Sequence, residues 1–172
     1  KKIIIDTDPG VDDSMAIFYA LNSPEIEVLG LTTIFGNAST EICTENALRL
    51  LEIAERTDIP VYKGAEKPLK SEYRGPGDFV HGKDGQGNSD LRPPESTVQR
   101  ETAVEYLHNI IKKNPGEITL VPIGPLTNIA ELLFSFHSTA LSRKFVGFLA
   151  VIDGVGLVEA PVFSLYFSFY KP

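Results

Sequence analysis

Two periods of hydrophobic spacing alternate along this chain. Ile3, Ile4 and Ile5 form an apolar run with no polar face, which predicts a strand covered on both sides. Pro9 and Gly10 break it, and Ser14 to Leu21 predicts the first helix. Val28 to Phe35 reads as a second buried strand closed by Gly36 and Asn37. Ser39 or Thr40 then caps a helix whose apolar face runs through Ala47, Leu50, Leu51 and Ala54, with Cys43 buried on it. Pro60 to Tyr62 predicts a short third strand, followed by an irregular Gly- and Pro-rich segment from Lys63 to about Pro94. Thr102 to Lys113 reads as an amphipathic helix stopped by Asn114, Pro115 and Gly116, with His108 on its wet side. Ile118 to Val121 is a fourth strand, and Pro125 suits the first turn of the helix after it. Phe145 to Ile152 can form a fifth strand. The charge-free aromatic run Phe163 to Tyr170 has no place in this pattern.

Strand and helix alternate throughout, which implies an α/β fold, a mostly parallel sheet with helices on both faces. In such a sheet the loops leaving the carboxyl ends of the strands carry the ligands. The first of those loops holds Asp6, Asp8, Asp12 and Asp13. Carboxylates crowded on a short loop repel by roughly 1 kcal/mol per close pair in water, and more where water is excluded. A hard cation taking oxygen ligands, Ca²⁺ or Mg²⁺, would relieve that repulsion. Structural roles compete for some of these acids: Asp12 or Asp13 as helix cap, Asp6 in an Asx-turn at the Pro-Gly corner. Asn37 should leave the sheet at the same edge, as a substrate ligand, a prop for an aspartate or a turn residue. So should the backbone of Pro122 to Gly124. His81 sits among glycines in FVHGKDGQGN, either on a flap over a site or in a solvated loop.

Composition narrows the partners. A net charge of −7 over 172 residues argues against nucleic acid or an anionic membrane surface. The single cysteine excludes an internal disulfide framework and fits a reducing compartment. No stretch is apolar enough for a membrane span, and with Lys1 leading straight into the first strand no signal peptide is expected. The expected setting is cytoplasmic.

Residues 2–130 resemble the inosine–uridine-preferring nucleoside hydrolases. The match rests on DTDPGVDD at Asp6 to Asp13, TTIFGN ending at Asn37, HGKDGQGN from His81, and LVPIGPLTNIA. The resemblance implies hydrolysis of the N-glycosidic bond of ribonucleosides with one Ca²⁺ at the carboxyl edge of the sheet. Carried over by position, Asp8 is metal ligand and general base, Asp13 a second carboxylate ligand, and Ile123 a ligand through its backbone carbonyl. Asp12 and Asn37 hold the ribose, His81 lies on the flap near the substrate, and Asp6 is structural. A ribonucleoside is the implied partner, and the resemblance allows a homo-oligomer.

Past GPLTN the family pattern continues with an Asn…Glu-x-Asn set and a His-Asp pair. No Asn follows Asn128 here, and His137 is followed by Ser138. The chain therefore reads as a single α/β domain over 1–172, family-like over 2–130 and atypical over 131–172, so that the fold is incomplete at its C-terminal side. Two alternatives stand beside the hydrolase: a truncated, catalytically inactive relative, and an aspartate-nucleophile phosphatase, which would leave Asp12 and Asp13 superfluous.

Overall fold

The structure is a computed structural model. It describes residues 1–137 apart from 71, 73, 74 and 77, with backbone alone at 136 and 137, and the backbone of two further strands at 148–153 and 156–161. The elements follow one another as β1 (Lys2–Thr7), α1 (Val11–Leu21), β2 (Glu27–Thr33), α2 (Thr40–Ile53), β3 (Val61–Lys63), α3 (Asp78–His81), α4 (Ala103–Lys113), β4 (Ile118–Pro122), α5 (Thr127–His137), β5 (Phe148–Asp153) and β6 (Gly156–Pro161). The strands form one sheet in the order β3-β2-β1-β4-β5-β6. All neighbours run parallel except β5 and β6, which are antiparallel.

The sheet is covered on both faces, as the β-branched run of β1 requires. Ile3 and Ile5 point into one apolar cluster with Ile17 of α1 and with Ala47, Leu50 and Leu51 of α2. Ile4 points into the other with Leu107 and Ile111 of α4 and Ile129 and Leu132 of α5. Alternate residues of one strand thus feed two cores, because side chains alternate across the pleat. Among the described residues no helix is long and apolar enough to cross a membrane.

Several element boundaries differ from expectation. Helix α1 begins at Val11, three residues early, so Asp12 and Asp13 belong to its first turn rather than to a loop. Gly10 takes the extended N-cap position and donates its N–H to Asp13 Oδ2 at 3.2 Å. Carboxylates in a first turn also face the positive end of the helix dipole, which favours the early start. Strand β2 ends at Thr33, and α5 starts at Thr127 rather than at Pro125. His108 is not on a wet face. It is half-buried where α4 meets α5, with Nδ1 3.1 Å from Ser135 Oγ. Thr102 and Glu105 close a reciprocal capping box at the start of α4. Strand β5 extends the parallel sheet and β6, which the hydrophobic pattern did not mark, pairs back on it. The aromatic run Phe163 to Tyr170 lies outside the described residues.

Candidate active site

The sheet order reverses between β1 and β4. Chain connections leave that point in opposite directions, which opens a crevice at the carboxyl ends of the two strands. Everything acidic in the first motif gathers there. Asp6 is the penultimate residue of β1 and is fully buried. Its Oδ1 accepts hydrogen bonds from Thr32 Oγ1 at 2.5 Å and Asn128 Nδ2 at 2.7 Å, whereas its Oδ2 has no partner among the described residues. Burial pushes this carboxyl up to about 6 against the pull of those two donors. The bonds bind β1 to β2 and α5, so Asp6 is structural, though through long-range partners rather than through an Asx-turn.

Asp8 and Asp13 are both buried, and Asn37 holds them together. The Asn37 N–H donates to Asp8 Oδ2 at 2.8 Å. Its Nδ2 donates to the Asp8 carbonyl at 2.9 Å and to Asp13 Oδ2 at 3.1 Å. Asp13 Oδ1 also accepts from Thr7 Oγ1 at 2.8 Å. Asn37 is thus a prop under both carboxylates. Burial, and after it the negative charge of Asp13, pushes Asp8 up to about 7. Burial likewise raises Asp13, opposed by its bonds from Thr7 and Gly10. Two glycines give Asp8 its room. A Cβ on Gly36 would lie 1.9 Å from Asp8 Oδ2, and one on Gly124 2.5 Å from Oδ1. Gly124 therefore brings the end of β4 against Asp8, and Ile123 just before it donates its N–H to the Asp6 carbonyl at 2.8 Å. The Pro122–Gly124 backbone reaches the same edge, as the repeated strand–turn–helix pattern implies.

Asp12 is exposed, its side chain 81% accessible and its Oδ1 3.8 Å from His81 Nδ1. His81 ends the one-turn helix α3, and its side chain is only 14% accessible. Its Nδ1 accepts from the Val11 N–H at 3.3 Å, and a Cβ on Gly10 would meet the ring at 2.8 Å. His81 therefore rests on the acid motif instead of standing in solvent.

The two buried, mutually repelling carboxylates beside a backbone segment form an oxygen-only donor set. Such a set suits a hard cation, which would offset both the burial and the repulsion that raise Asp8. Among the described residues no group of three His, Cys, Asp or Glu side chains converges as a metal cluster. A cation here would draw two carboxylates from side chains and its other ligands from backbone and water.

Four residues of this site carried no role in the sequence analysis: Thr7, Asn46, Gln86 and Asn128. Their contacts span up to 122 residues along the chain. Only Asn46, a polar residue on the inner side of an apolar helix face and 1% exposed, left a sequence signal.

Fold and site together define an open-sheet α/β protein with an anionic ligand site at its switch point. The sequence model of the inosine-uridine preferring nucleoside hydrolases matches residues 3–145, past the point near residue 130 where the motifs stop. The chain is 57% identical over 163 residues to the probable uridine nucleosidase 2 of Arabidopsis thaliana, covering 94% of this chain and 50% of that protein. Among solved structures, the plant nucleoside hydrolase PpNRh1 superposes with a TM-score of 0.80 at 47% identity, over 88% of this chain and 47% of that one. A purine-preferring ribonucleoside hydrolase from Gardnerella vaginalis gives 0.81 at 32% identity, over 90% and 49%. This chain belongs to the inosine-uridine preferring nucleoside hydrolase family. It spans about half the length of the curated relatives it matches. The family match displaces the phosphatase reading.

Proposed function

We propose that the site between β1 and β4 serves hydrolysis of the N-glycosidic bond of ribonucleosides, yielding ribose and the free base. The observation that carries this reading is the pair Asp8–Asp13, held side by side by Asn37 at the switch point. Uridine is the proposed substrate, since the matching plant relative bears the name uridine nucleosidase.

Glycosidic cleavage develops positive charge on the sugar, and an anionic wall stabilises it. Asp8 accepts the proton of the attacking water. With a cation beside it the Asp8 carboxyl stays ionised, the state in which it can take a proton. Asp8 and Asp13, with the Ile123 carbonyl, would hold Ca²⁺. When bound, Ca²⁺ supplies Lewis acidity and a fixed point for water and the ribose diol. Asp12 and Asn37 bind ribose hydroxyls, and His81 lies at the substrate. The single cysteine, Cys43, is a free buried thiol, which supports a cytoplasmic setting.

The test is the Asp8→Asn variant with uridine as substrate. An amide cannot take the proton, so kcat should fall by about 10²–10⁴ with KM little changed. Equal losses in kcat and in affinity would reduce Asp8 to a ligand. A second reading, a binding module without turnover, draws on the donor count, because apart from Asp6, which is tied to Thr32 and Asn128, the buried carboxylates among the described residues are Asp8 and Asp13 alone. Stoichiometric ribose binding with no release of base from the unaltered protein would select it.

A further inference from the structure

The segment after His81 is fastened to the acid motif by two amides that the proposed reaction does not use. Gln86 Nε2 lies within hydrogen-bond distance of three oxygens: the Pro9 carbonyl at 3.1 Å, the Gly10 carbonyl at 3.3 Å and Ser14 Oγ at 3.0 Å. Asn46 on α2 donates from Nδ2 to the Asp84 carbonyl at 2.8 Å and to the Pro9 carbonyl at 3.3 Å. Between them lies Gly85, buried at φ +72°, where a Cβ would meet Asn46 Nδ2 at 3.0 Å. The loop is also stiffened from within. The Asp84 carboxylate accepts the N–H groups of Gln86, Asn88 and Ser89, at 2.8, 2.8 and 2.9 Å.

These contacts have one geometric consequence. Pro9 and Gly10 join Asp8 to the helix that carries Asp12 and Asp13, and a Cβ on Gly10 would lie 2.6 Å from Asn37 Nδ2 and 2.8 Å from His81 Nδ1. Fixing residues 84–86 on the Pro9 and Gly10 carbonyls therefore fixes His81, three residues before Asp84, against Val11 and Asp12. His81 itself makes only one hydrogen bond to the acid motif, at 3.3 Å. That single long bond does not hold a glycine-flanked loop in place.

We propose that Gln86, seconded by Asn46, is the positioning residue that docks the His81 segment onto the acid motif. Its amide serves as a donor to the Pro9 and Gly10 carbonyls and so sets where His81 stands over the site. The role of His81 at the substrate rests on the proposed hydrolase reading; the docking itself does not.

The test labels histidines with diethyl pyrocarbonate in the purified full chain and reads each site by peptide mapping. His108, between α4 and α5, is the internal reference for general loosening. Gln86→Leu keeps the bulk and removes the donor. Gln86→Glu keeps the shape and turns an acceptor toward two carbonyls. Losing bonds of this kind raises the opened population about tenfold. The His81-to-His108 labelling ratio should therefore rise about tenfold in both variants, with the rate at His108 unchanged. A ratio equal to that of the unaltered chain in either variant would overturn the docking role, as would equal acceleration at both histidines. The readout needs no turnover. Failure of uridine hydrolysis would thus count against the reaction and leave the docking result standing.

Discussion

Asn128 offers the sharpest test of how the acid site is built. It is fully buried and makes three bonds: Nδ2 to Asp6 Oδ1 at 2.7 Å, Nδ2 to the Thr33 carbonyl at 3.1 Å, and Oδ1 from the Ala65 N–H at 2.9 Å. Asn128→Ala removes all three. Counting about 1 kcal/mol for each bond with backbone and about 2 for the one to the carboxyl, the loss is about 4 kcal/mol. Against a total stability of about 5–15 kcal/mol this is a large share. The chain has no tryptophan, so urea unfolding followed by far-UV circular dichroism is the assay. The isosteric Asn128→Asp adds a signature in pH. The introduced carboxyl faces Asp6, already raised to about 6, and each group raises the other. Raised folded values mean that stability is present while the pair holds its protons and is lost as pH climbs through those values. In chelator, Asn128→Asp should thus cost more at about pH 8 than at about pH 5. A loss below about 1 kcal/mol for Asn128→Ala, or a pH-independent penalty for Asn128→Asp, would refute the reasoning.

Gly36→Ala would place a methyl 1.9 Å from Asp8 Oδ2, so calorimetry should show Ca²⁺ binding weakened at least about tenfold; unchanged affinity would mean that Asp8 is not a ligand. Without metal, burial raises Asp6 to about 6 and Asp8 to about 7, so apo stability should fall as pH rises from the ordinary carboxylate range towards 7. Added Ca²⁺ should restore it at pH 7, as thermal unfolding can show. Cys43 is fully buried and its thiol is pushed up to about 12, chiefly by burial. Ellman's reagent at pH 8 should leave it untouched until denaturant is added.

Local chemistry was legible wherever it was written in neighbouring residues. The β-branched run of β1 and a cap for α2 at Ser39 or Thr40 follow from sequence spacing; the structure carries both, with Ser39 as the cap, and adds the Thr102–Glu105 box of α4. The concentration of acids at one edge was legible too. Their division was not: Asp6 lies inside the strand, Asp8 in the turn, and Asp12 and Asp13 in the helix. The resemblance pairs Asp8 with Asp13, and the structure adds what holds them together, the reach of Asn37 from the loop after β2. Asn128, Asn46 and Gln86 act across 37 to 122 residues of chain, and of the three only Asn46 is marked locally, as a polar residue on an apolar helix face. Likewise β6 is antiparallel to β5, an outcome that neither the length nor the composition of its segment fixes.

The central claim is that Asp8, Asp13 and the backbone of Ile123 surround one cation. A crystal structure of the protein grown with Ca²⁺ measures this directly. The account predicts one ion with the Asp8 and Asp13 carboxylates and the Ile123 carbonyl oxygen each at about 2.3–2.6 Å. An ion bound elsewhere, or Asp8 and Asp13 turned from each other with no ion between them, would contradict it.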